Sequence, residues 1–290
     1  RAVAICSMVA TAHSLARMTA QQRNVQWRSG MQGFAWILLI FWQLPSAVFA
    51  QTGGAWTTTM APSYIAAPLC LALLLLLLAG LNAVQDFALR GDGTPFPFDP
   101  PKRLVVSGAY AYMRNPMQIA ICGGLLALGG IYAQPWIAFG AIEALILFIV
   151  FRHVCAGTST VKRDDPLAPA HYAGVPAWLP RWHPWHPSVD SDVPLDNLDA
   201  PSSSFLTRWL GRRKFHGLAL SVGETDVWEF RSGDGLYHAY GLAAFGQALQ
   251  RINLAWATLG WLLCLLPVSR HVIDGTPAPM PGRGIAPQLG

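Results

Sequence analysis

Apolar residues fall into two long blocks, and the first block contains no charge at all. Residues 29–85 are 57 consecutive positions without Asp, Glu, Lys, Arg or His. Roughly 20 apolar residues are enough for a helix to cross the hydrocarbon core of a bilayer. The first block therefore predicts two membrane-spanning helices, near residues 32–50 and 63–83, with a short connection between them.

The second apolar block runs over residues 116–151 and contains one charged residue, Glu143. Gln134-Pro135 is a turn signal near its middle. We therefore expect a second helical hairpin. The predicted fold class is a mainly α, polytopic membrane protein with about four transmembrane helices arranged as two hairpins, followed by a small α/β C-terminal segment.

Composition agrees with a membrane protein. The chain is 53% hydrophobic and 12% charged, whereas soluble domains average about 25% charged residues. With four spans, every Lys and Arg lies on one side, which the positive-inside rule assigns to the cytoplasm or the matrix. This predicts a bacterial inner membrane or a mitochondrial inner membrane. The net charge of +5 is spread over segments beside the spans, so we expect the lipid bilayer as partner and no nucleic acid.

The N-terminal thirty residues and the cysteines carry weaker signals. Arg1, Arg17, Arg23 and Arg28 occur without an acid, which fits an organellar transit segment and a positive-inside flank equally. The five cysteines have no Cys-x-x-Cys spacing, and the histidines lack paired-ligand spacing. Neither a disulfide framework nor a metal site is predicted.

The polar loop between the two blocks carries the candidate chemistry. It reads GDGTPFPFDPPKRLVVSGAYAYMRNPMQIA over residues 91–120. Its prolines forbid helix and fix an extended backbone, and Pro116 suits the first position of a helix. Arg114 and Asn115 then stand at a helix N-terminus, which is a good receptor for a carboxylate.

This run resembles the cofactor-binding core of the isoprenylcysteine carboxyl methyltransferase and phospholipid methyltransferase group, integral membrane enzymes that use S-adenosylmethionine. About thirty consecutive positions fit the family pattern. The resemblance implies that S-adenosylmethionine is the cofactor if the protein is active. It assigns Arg114 and Asn115 to the cofactor side of the site. It also implies pocket-shaping roles for Gly93, Pro95, Pro97 and Asp99.

The second half of the family site is altered. Its Trp-x-Pro-Arg end is present at residues 178–181. Counting back without gaps, Arg163 meets the family's Arg, but His171 replaces a Tyr and Ala156 replaces an acid. A shifted register would place Asp164 and Asp165 at the acidic position, although the gapless register is preferred. Losing a carboxylate near the sulfonium would remove a charged hydrogen bond of about 1.5–3 kcal/mol.

Glu143 has two interpretations. An ionisable group at membrane depth marks a functional site by default, so Glu143 either replaces the missing acid or faces another helix, such as one of a partner subunit. The second interpretation is favoured.

The C-terminal segment resembles thioredoxin-like thiol-disulfide oxidoreductases at LDNLDAPSSSFLTRWLGRR. One register places Asp199 and Ser202 at the two cysteine positions, and the other places Ala200 and Ser203 there. Because exchange requires a thiolate, oxidoreductase activity is rejected. The next residues predict a hairpin at 233–235, an amphipathic helix, and a short apolar helix within 253–268.

The predicted domain boundaries follow from these segments. They are a basic N-terminal segment (1–30), a membrane methyltransferase-like domain (31–186), a linker (187–203), a degenerate thioredoxin-like segment (204–274) and an irregular tail (275–290).

Two functions are consistent with the sequence. The altered acidic, tyrosine and cysteine positions favour a catalytically impaired protein that serves as an accessory or structural subunit of a larger membrane complex. The intact loop favours an active S-adenosylmethionine-dependent methyltransferase of a lipid, prenylated or other amphiphilic substrate. We favour the accessory role.

Overall fold

The computed structural model describes residues 12–21, 23–56, 60–95, 99–155, 165–187, 194–223 and 225–273. The chain folds as two compact units. Unit 1 consists of Arg1–Val105 and Asn115–Asp165, and unit 2 consists of Val106–Arg114 and Pro166–Gly290. The chain therefore passes between the units three times, each time inside the segment predicted as one methyltransferase-like domain.

Unit 1 is helical. Residues 12–20 form a helix, and after Asn24 a long helix begins. The bounds are α1 Val25–Leu38, a π-helical turn Leu39–Gln43, α2 Leu44–Thr52, α3 Ser63–Leu89, α4 Pro116–Ile131 and α5 Pro135–Cys155.

The π-helical turn comes just before a proline. Pro45 lies at the start of α2 and has no N–H to donate to the carbonyl group four residues earlier. The wider helical turn accommodates this missing hydrogen bond. Val25–Thr52 therefore continues as one 28-residue rod.

Two helices in unit 1 are long and apolar enough to cross a membrane, judged by length and composition. They are Val25–Thr52 and Ser63–Leu89, with mean hydropathies of 1.7 and 2.5. Only 17% of each apolar window is buried within the protein, so most of these side chains face outward. A helix in the core of a soluble protein has the opposite distribution. The two helices indicate membrane association.

The second predicted hairpin is present as two shorter apolar helices. Pro116 occupies the first turn of α4, as predicted, and Gln134 leads into α5. However, the 16 residues of α4 span only about 24 Å at 1.5 Å per residue, which is less than the hydrocarbon thickness of about 30 Å. Four spans therefore remain a prediction.

Small residues let the helices of unit 1 approach closely. A Cβ atom added to Gly80 of α3 would lie 2.7 Å from the Cβ of Ala120 in α4. Gly123 and Gly130 of α4 meet leucine side chains of α3 in the same way. Small residues at helix contacts are the usual means of association where the surroundings are as apolar as the helices themselves.

Unit 2 contains a five-stranded sheet with helices. The strand order is β2-β1-β3-β4-β5. Strands β1 and β2 are parallel, and the other neighbours are antiparallel. The elements are α6 Ala168–Gly174, β1 Asp196–Pro201, α7 Phe205–Leu210, β2 Leu218–Gly223, β3 Glu229–Arg231, β4 Tyr237–Tyr240, α8 Leu242–Leu249, α9 Leu254–Leu265 and β5 Arg270–Ile273.

The sheet begins inside the segment predicted as a linker, because β1 occupies residues 196–201. The strand-to-helix resemblance anticipated this strand. The hairpin predicted at residues 233–235 forms between β3 and β4, where Arg231 is opposite His238. The amphipathic helix after it is α8.

Residues 106–114 complete the core of unit 2. Tyr112 is fully buried and donates its hydroxyl to the backbone carbonyl of Gln250 at 2.8 Å. Its ring meets the edge of Trp261 with centroids 5.9 Å apart. Burial raises the pKa of Tyr112 well above its ordinary range, so the hydroxyl stays protonated and keeps this bond. Asp196 and Arg251 form a buried ion pair in the same unit.

We expect Gly80→Ala to destabilise unit 1, because the new methyl group would overlap Ala120 and force the helices apart. Overpacking of this kind costs about 1–3 kcal/mol. The matched control is Gly140→Ala in α5, where the added Cβ would meet only Leu44 at 3.8 Å. That variant should gain up to about 1 kcal/mol from helix propensity. Thermal unfolding in detergent checks this, and equal midpoints for both variants would contradict the helix contact.

Candidate functional site

The polar loop after α3 folds back onto the helix end. The backbone N–H groups of Arg90 and Gly91 donate to the carbonyl of Asp86 at 2.9 and 3.1 Å. Farther along, the N–H of Lys102 donates to the carbonyl of Gly91 at 2.7 Å. These bonds close the loop at its base and hold its two arms together.

Gly93 lies where the two arms of the loop meet. A Cβ atom at this position would stand 2.4 Å from the Cα of Pro101 and 2.5 Å from its nitrogen. Backbone atoms cannot move aside as a flexible side chain can, so only glycine fits. Next to it, the N–H of Thr94 donates to the carbonyl of Asp99 at 2.8 Å. Gly93 and Asp99 are thus in one folded loop with Pro95, whereas Pro97 lies outside the described residues.

The Asp99 carboxylate forms a buried ion pair with the guanidinium of Arg28 in α1. Their side chains are 4% and 1% exposed. Arg28 also donates its Nε–H to the carbonyl of Arg23 at 2.9 Å. Asp99 therefore ties the loop to the start of the first long helix. A second pair in the loop, Lys102 with Asp92 at 2.7 Å, is exposed.

Arg114 and Asn115 lead into α4 as predicted. Asn115 is the N-cap residue, and its backbone carbonyl accepts the N–H of Ile119 at 3.0 Å. Arg114 belongs to unit 2, where its backbone N–H donates to the carbonyl of Pro176 at 3.0 Å. Its guanidinium carbon lies 5.4 Å from the centre of the Tyr172 ring. The buried Nε of Arg114 has no hydrogen-bond partner among the described residues, so it keeps the capacity to bind an anion.

His171, predicted to stand at the tyrosine position of the methyltransferase-like pattern, is an interior residue of unit 2. It is 2% exposed, and its Nε2 lies 3.0 Å from the carbonyl oxygen of Tyr110. The ring meets Trp185 edge-on with centroids 5.0 Å apart. The described geometry gives His171 a packing role. Of the alternative acidic positions, Asp165 is described, whereas Ala156 and Asp164 lie outside the described residues, as does Arg163.

Glu143 lies on the outer face of α5. Ile137 and Ala141, on the opposite face, pack into a cluster with Phe49. Glu143 is exposed next to Ile142, which is 49% exposed. The same face continues with exposed Ile146, Leu147 and Val150. A single carboxylate thus stands in an apolar helix surface, with no partner among the described residues.

The residues that the predicted thioredoxin-like alignment places at the two cysteine positions lie at the end of β1 and in the turn after it. Asp199 and Ala200 belong to the strand, and Ala200 is fully buried. Ser202 and Ser203 lie in the exposed turn that follows. Ser204 then caps α7 by accepting the N–H of Leu206 at 3.2 Å. None of these side chains is a thiol, so the turn and the helix cap form here without a nucleophilic sulfur.

Three histidines of unit 2 lie in a cationic environment. The rings of His183 and His216 are 5.0 Å apart. Burial, followed by the charges of His183, Lys214, Arg181 and His186, lowers the pKa of His216. Burial also lowers the pKa of His186. Within the described ranges, no group of three or more His, Cys, Asp or Glu residues is placed to hold a metal ion.

The sequence pattern did not identify Arg28 as the partner of Asp99. The available signal was its position, since Arg28 is the last charge before 57 uncharged residues. Nor did the pattern separate Tyr112 from its neighbours in SGAYAYMRN, although Tyr112 is the side chain that anchors this segment in unit 2.

Comparison of the chain with protein-family models, curated proteins and solved structures found no match. The methyltransferase-like and thioredoxin-like assignments therefore remain predictions from the residues.

Replacing Asp99 by Asn should leave the buried Arg28 charge without its counter-ion, which costs about 3–5 kcal/mol. For a chain of this size we expect the apparent Tm in detergent to fall by about 10 °C. The control is Asp92→Asn, which breaks the exposed pair with Lys102 and should cost less than about 1 kcal/mol. A similar Tm for both variants would show that the Arg28–Asp99 pair does not stabilise the loop.

Stability should decrease as the pH falls below about 6.5, the ordinary pKa of histidine. The pKa of His216 is lowered in the folded state, so as the pH falls a proton binds the unfolded chain before it binds the folded chain. The stability that is present above pH 6.5 is therefore lost as the pH falls from 6.5 through the folded-state pKa. His216→Gln should remove part of this loss. Thermal unfolding at pH 7.5 and 5.5 measures it, and identical losses in wild type and variant would contradict the assignment.

Proposed function

We propose that this protein is an integral membrane protein that retains an S-adenosylmethionine-dependent methyltransferase scaffold, no longer catalyses methyl transfer, and serves as an accessory or structural subunit of a larger membrane complex. The observation that carries the proposal is Glu143. It stands on the outward face of an apolar helix, close to the middle of that helix.

Exposure of Glu143 to lipid would be costly. Ionised side chains at the centre of a membrane helix cost about 2.5–3.5 kcal/mol on insertion scales, and they almost always face a protein partner or a water-filled cavity. Within unit 1 the side chain points away from the helix contacts of Ile137 and Ala141. A donor on a helix of another subunit would satisfy the carboxylate.

We extend the membrane assignment to four spans. The apolar part of α5, Pro135–Val150, is about 24 Å long at 1.5 Å per residue, which is shorter than the hydrocarbon core, as is α4. Local thinning of the bilayer or polar flanks at Asn115 and Gln134 would accommodate these two shorter helices. The basic segments then lie on the cytoplasmic or matrix side of a bacterial or mitochondrial inner membrane.

The contacts of two site residues, Asp99 and His171, support the proposed loss of methyl transfer. The carboxylate of Asp99 forms a buried ion pair with Arg28. His171, at the family's tyrosine position, packs in the interior of unit 2 against Trp185. Both residues serve the fold, and the gapless register supplies no acid at position 156.

An active methyltransferase is the second candidate, and Arg114 favours it. The Nε of Arg114 is buried and has no hydrogen-bond partner among the residues that the structure describes. Stacking over Tyr172 holds the guanidinium in place. A fixed cation with a free donor could bind the carboxylate of S-adenosylmethionine.

The thioredoxin-like relationship of unit 2 is supported by the sheet order. A parallel β1–α7–β2 connection is followed by the antiparallel β3–β4 hairpin and then by α8. Since the turn before α7 carries Ser202 and Ser203 in place of thiols, we propose that this unit serves as a structural or binding module.

The test uses the tagged full chain, extracted from its own membrane in lipid nanodiscs. We expect a particle that contains a second polypeptide in fixed stoichiometry and shows no calorimetric heat with S-adenosylmethionine. Glu143→Leu should release the second polypeptide, because the carboxylate is lost, whereas Ile142→Leu, on the same face, should retain it. Mass photometry and calorimetry give both readouts.

A chain that is isolated alone, binds S-adenosylmethionine tightly and loses that binding in Arg114→Ala would overturn the accessory role and establish the enzymatic one. Arg114→Lys is the matched control, because lysine keeps the positive charge but lacks the planar guanidinium geometry.

A further inference from the structure

Positive charge in unit 2 is concentrated at the end of α7 and in the turn that follows. Arg208, Arg212, Arg213 and Lys214 are all exposed. None of them has an ion-pair partner among the described residues of unit 2. No Asp or Glu occurs anywhere in residues 200–223, so this stretch has no carboxylate of its own to balance the four charges.

Aromatic side chains lie among these cations. Trp209 of α7 meets Trp256 of α9 edge-on, with centroids 4.8 Å apart. The guanidinium of Arg213 stacks over Trp209 at 4.5 Å and reaches Trp256 at 6.0 Å. We call this surface the basic–aromatic face, defined by Arg208, Trp209, Arg212, Arg213, Lys214 and Trp256.

Exposed apolar side chains belong to the same two helices. On α7, Phe205 is 70% exposed and Leu206 is 42% exposed. On α9, Leu259 is 40% exposed. Before α9, the carbonyl of Trp182 accepts the N–H of Leu254 at 2.8 Å, and the Trp182 side chain is 56% exposed. The cations are therefore accompanied by side chains suited to the boundary between headgroups and hydrocarbon.

Negative charge in unit 2 lies elsewhere. Every carboxylate in the described part of this unit belongs to a strand of the sheet or to a connection between β2, β3 and β4. Two of them form ion pairs, Asp196 with Arg251 and Glu229 with Arg231. The described carboxylates are Asp196, Asp199, Asp226, Glu229 and Asp234.

We propose that the basic–aromatic face docks unit 2 onto the anionic surface of a lipid bilayer. Cations near such a surface attract acidic headgroups, and tryptophan rings prefer the interface. The stacking of Arg213 on two indoles orders the site before it meets lipid. A bilayer surface offers acidic headgroups to the cations and an apolar boundary to the exposed Phe205 and Trp182 side chains. Because the same chain carries long apolar helices, a bilayer is also present at high effective concentration.

This role is independent of the methyltransferase scaffold and of any partner of Glu143. It gives unit 2 a function that needs no thiol, because binding requires only the charge and the aromatic rings.

The test is hydrogen exchange on the full chain in nanodiscs made of phosphatidylcholine alone or of phosphatidylcholine mixed with phosphatidylserine. Amides of residues 205–214 should exchange more slowly in the anionic discs, and high salt should reverse the protection. Arg212→Ala with Arg213→Ala should reduce the docked-to-free ratio by about 30-fold, since each cation contributes about fivefold.

Two controls separate charge position from net charge and from misfolding. Ser221→Glu with Thr225→Glu changes the net charge by the same two units at exposed positions outside the basic–aromatic face, in β2 and just after it, and should retain docking. Unchanged exchange in β3 and β4 shows that each variant is folded. Equal exchange in both kinds of disc would overturn the proposal, as would protection that neither salt nor the double alanine variant reduces.

Discussion

A buried ion pair organises the polar part of unit 1. Arg28 is the last charged residue before the long apolar stretch, and Asp99 lies beyond the second long helix. Their contact fixes the start of α1 against the loop that follows α3. Because an unpaired charge at so buried a site is strongly unfavourable, each partner requires the other. The pair also holds the part of the loop in which the backbone carbonyl of Asp99 accepts the N–H of Thr94, next to the close approach at Gly93.

The same constraint bears on function. A carboxylate held by a buried guanidinium is a structural element, and so is a histidine packed between a carbonyl and an indole. By contrast, Glu143 and the exposed cations after α7 have no ion-pair partner among the described residues. Among the described residues, these unpaired charges therefore lie on surfaces. We therefore propose that the function depends on what the surfaces of the two units bind. The buried Nε of Arg114 is the feature that favours the alternative, an active methyltransferase.

The sequence predicted the parts that depend on local pattern. Charge-free runs located the two long helices, Pro116 and Pro135 marked helix starts, and the glycines at 233 and 235 marked the hairpin. It did not predict that residues 106–114 join unit 2, because the burial of Tyr112 depends on residues far along the chain. For the same reason, the Arg28–Asp99 pair, separated by 71 positions, left no periodic signal. Nor does composition distinguish a helix that spans from one that falls short, as the 16 residues of α4 illustrate.

The central claim is that the outer face of α5 meets another polypeptide. A photoreactive amino acid at Leu147, which is 64% exposed on that face, tests it most directly in the native membrane. The account predicts one protein adduct of defined mass, lost when Glu143 is replaced by Leu. Adducts to lipid alone, unchanged by that replacement, would contradict it.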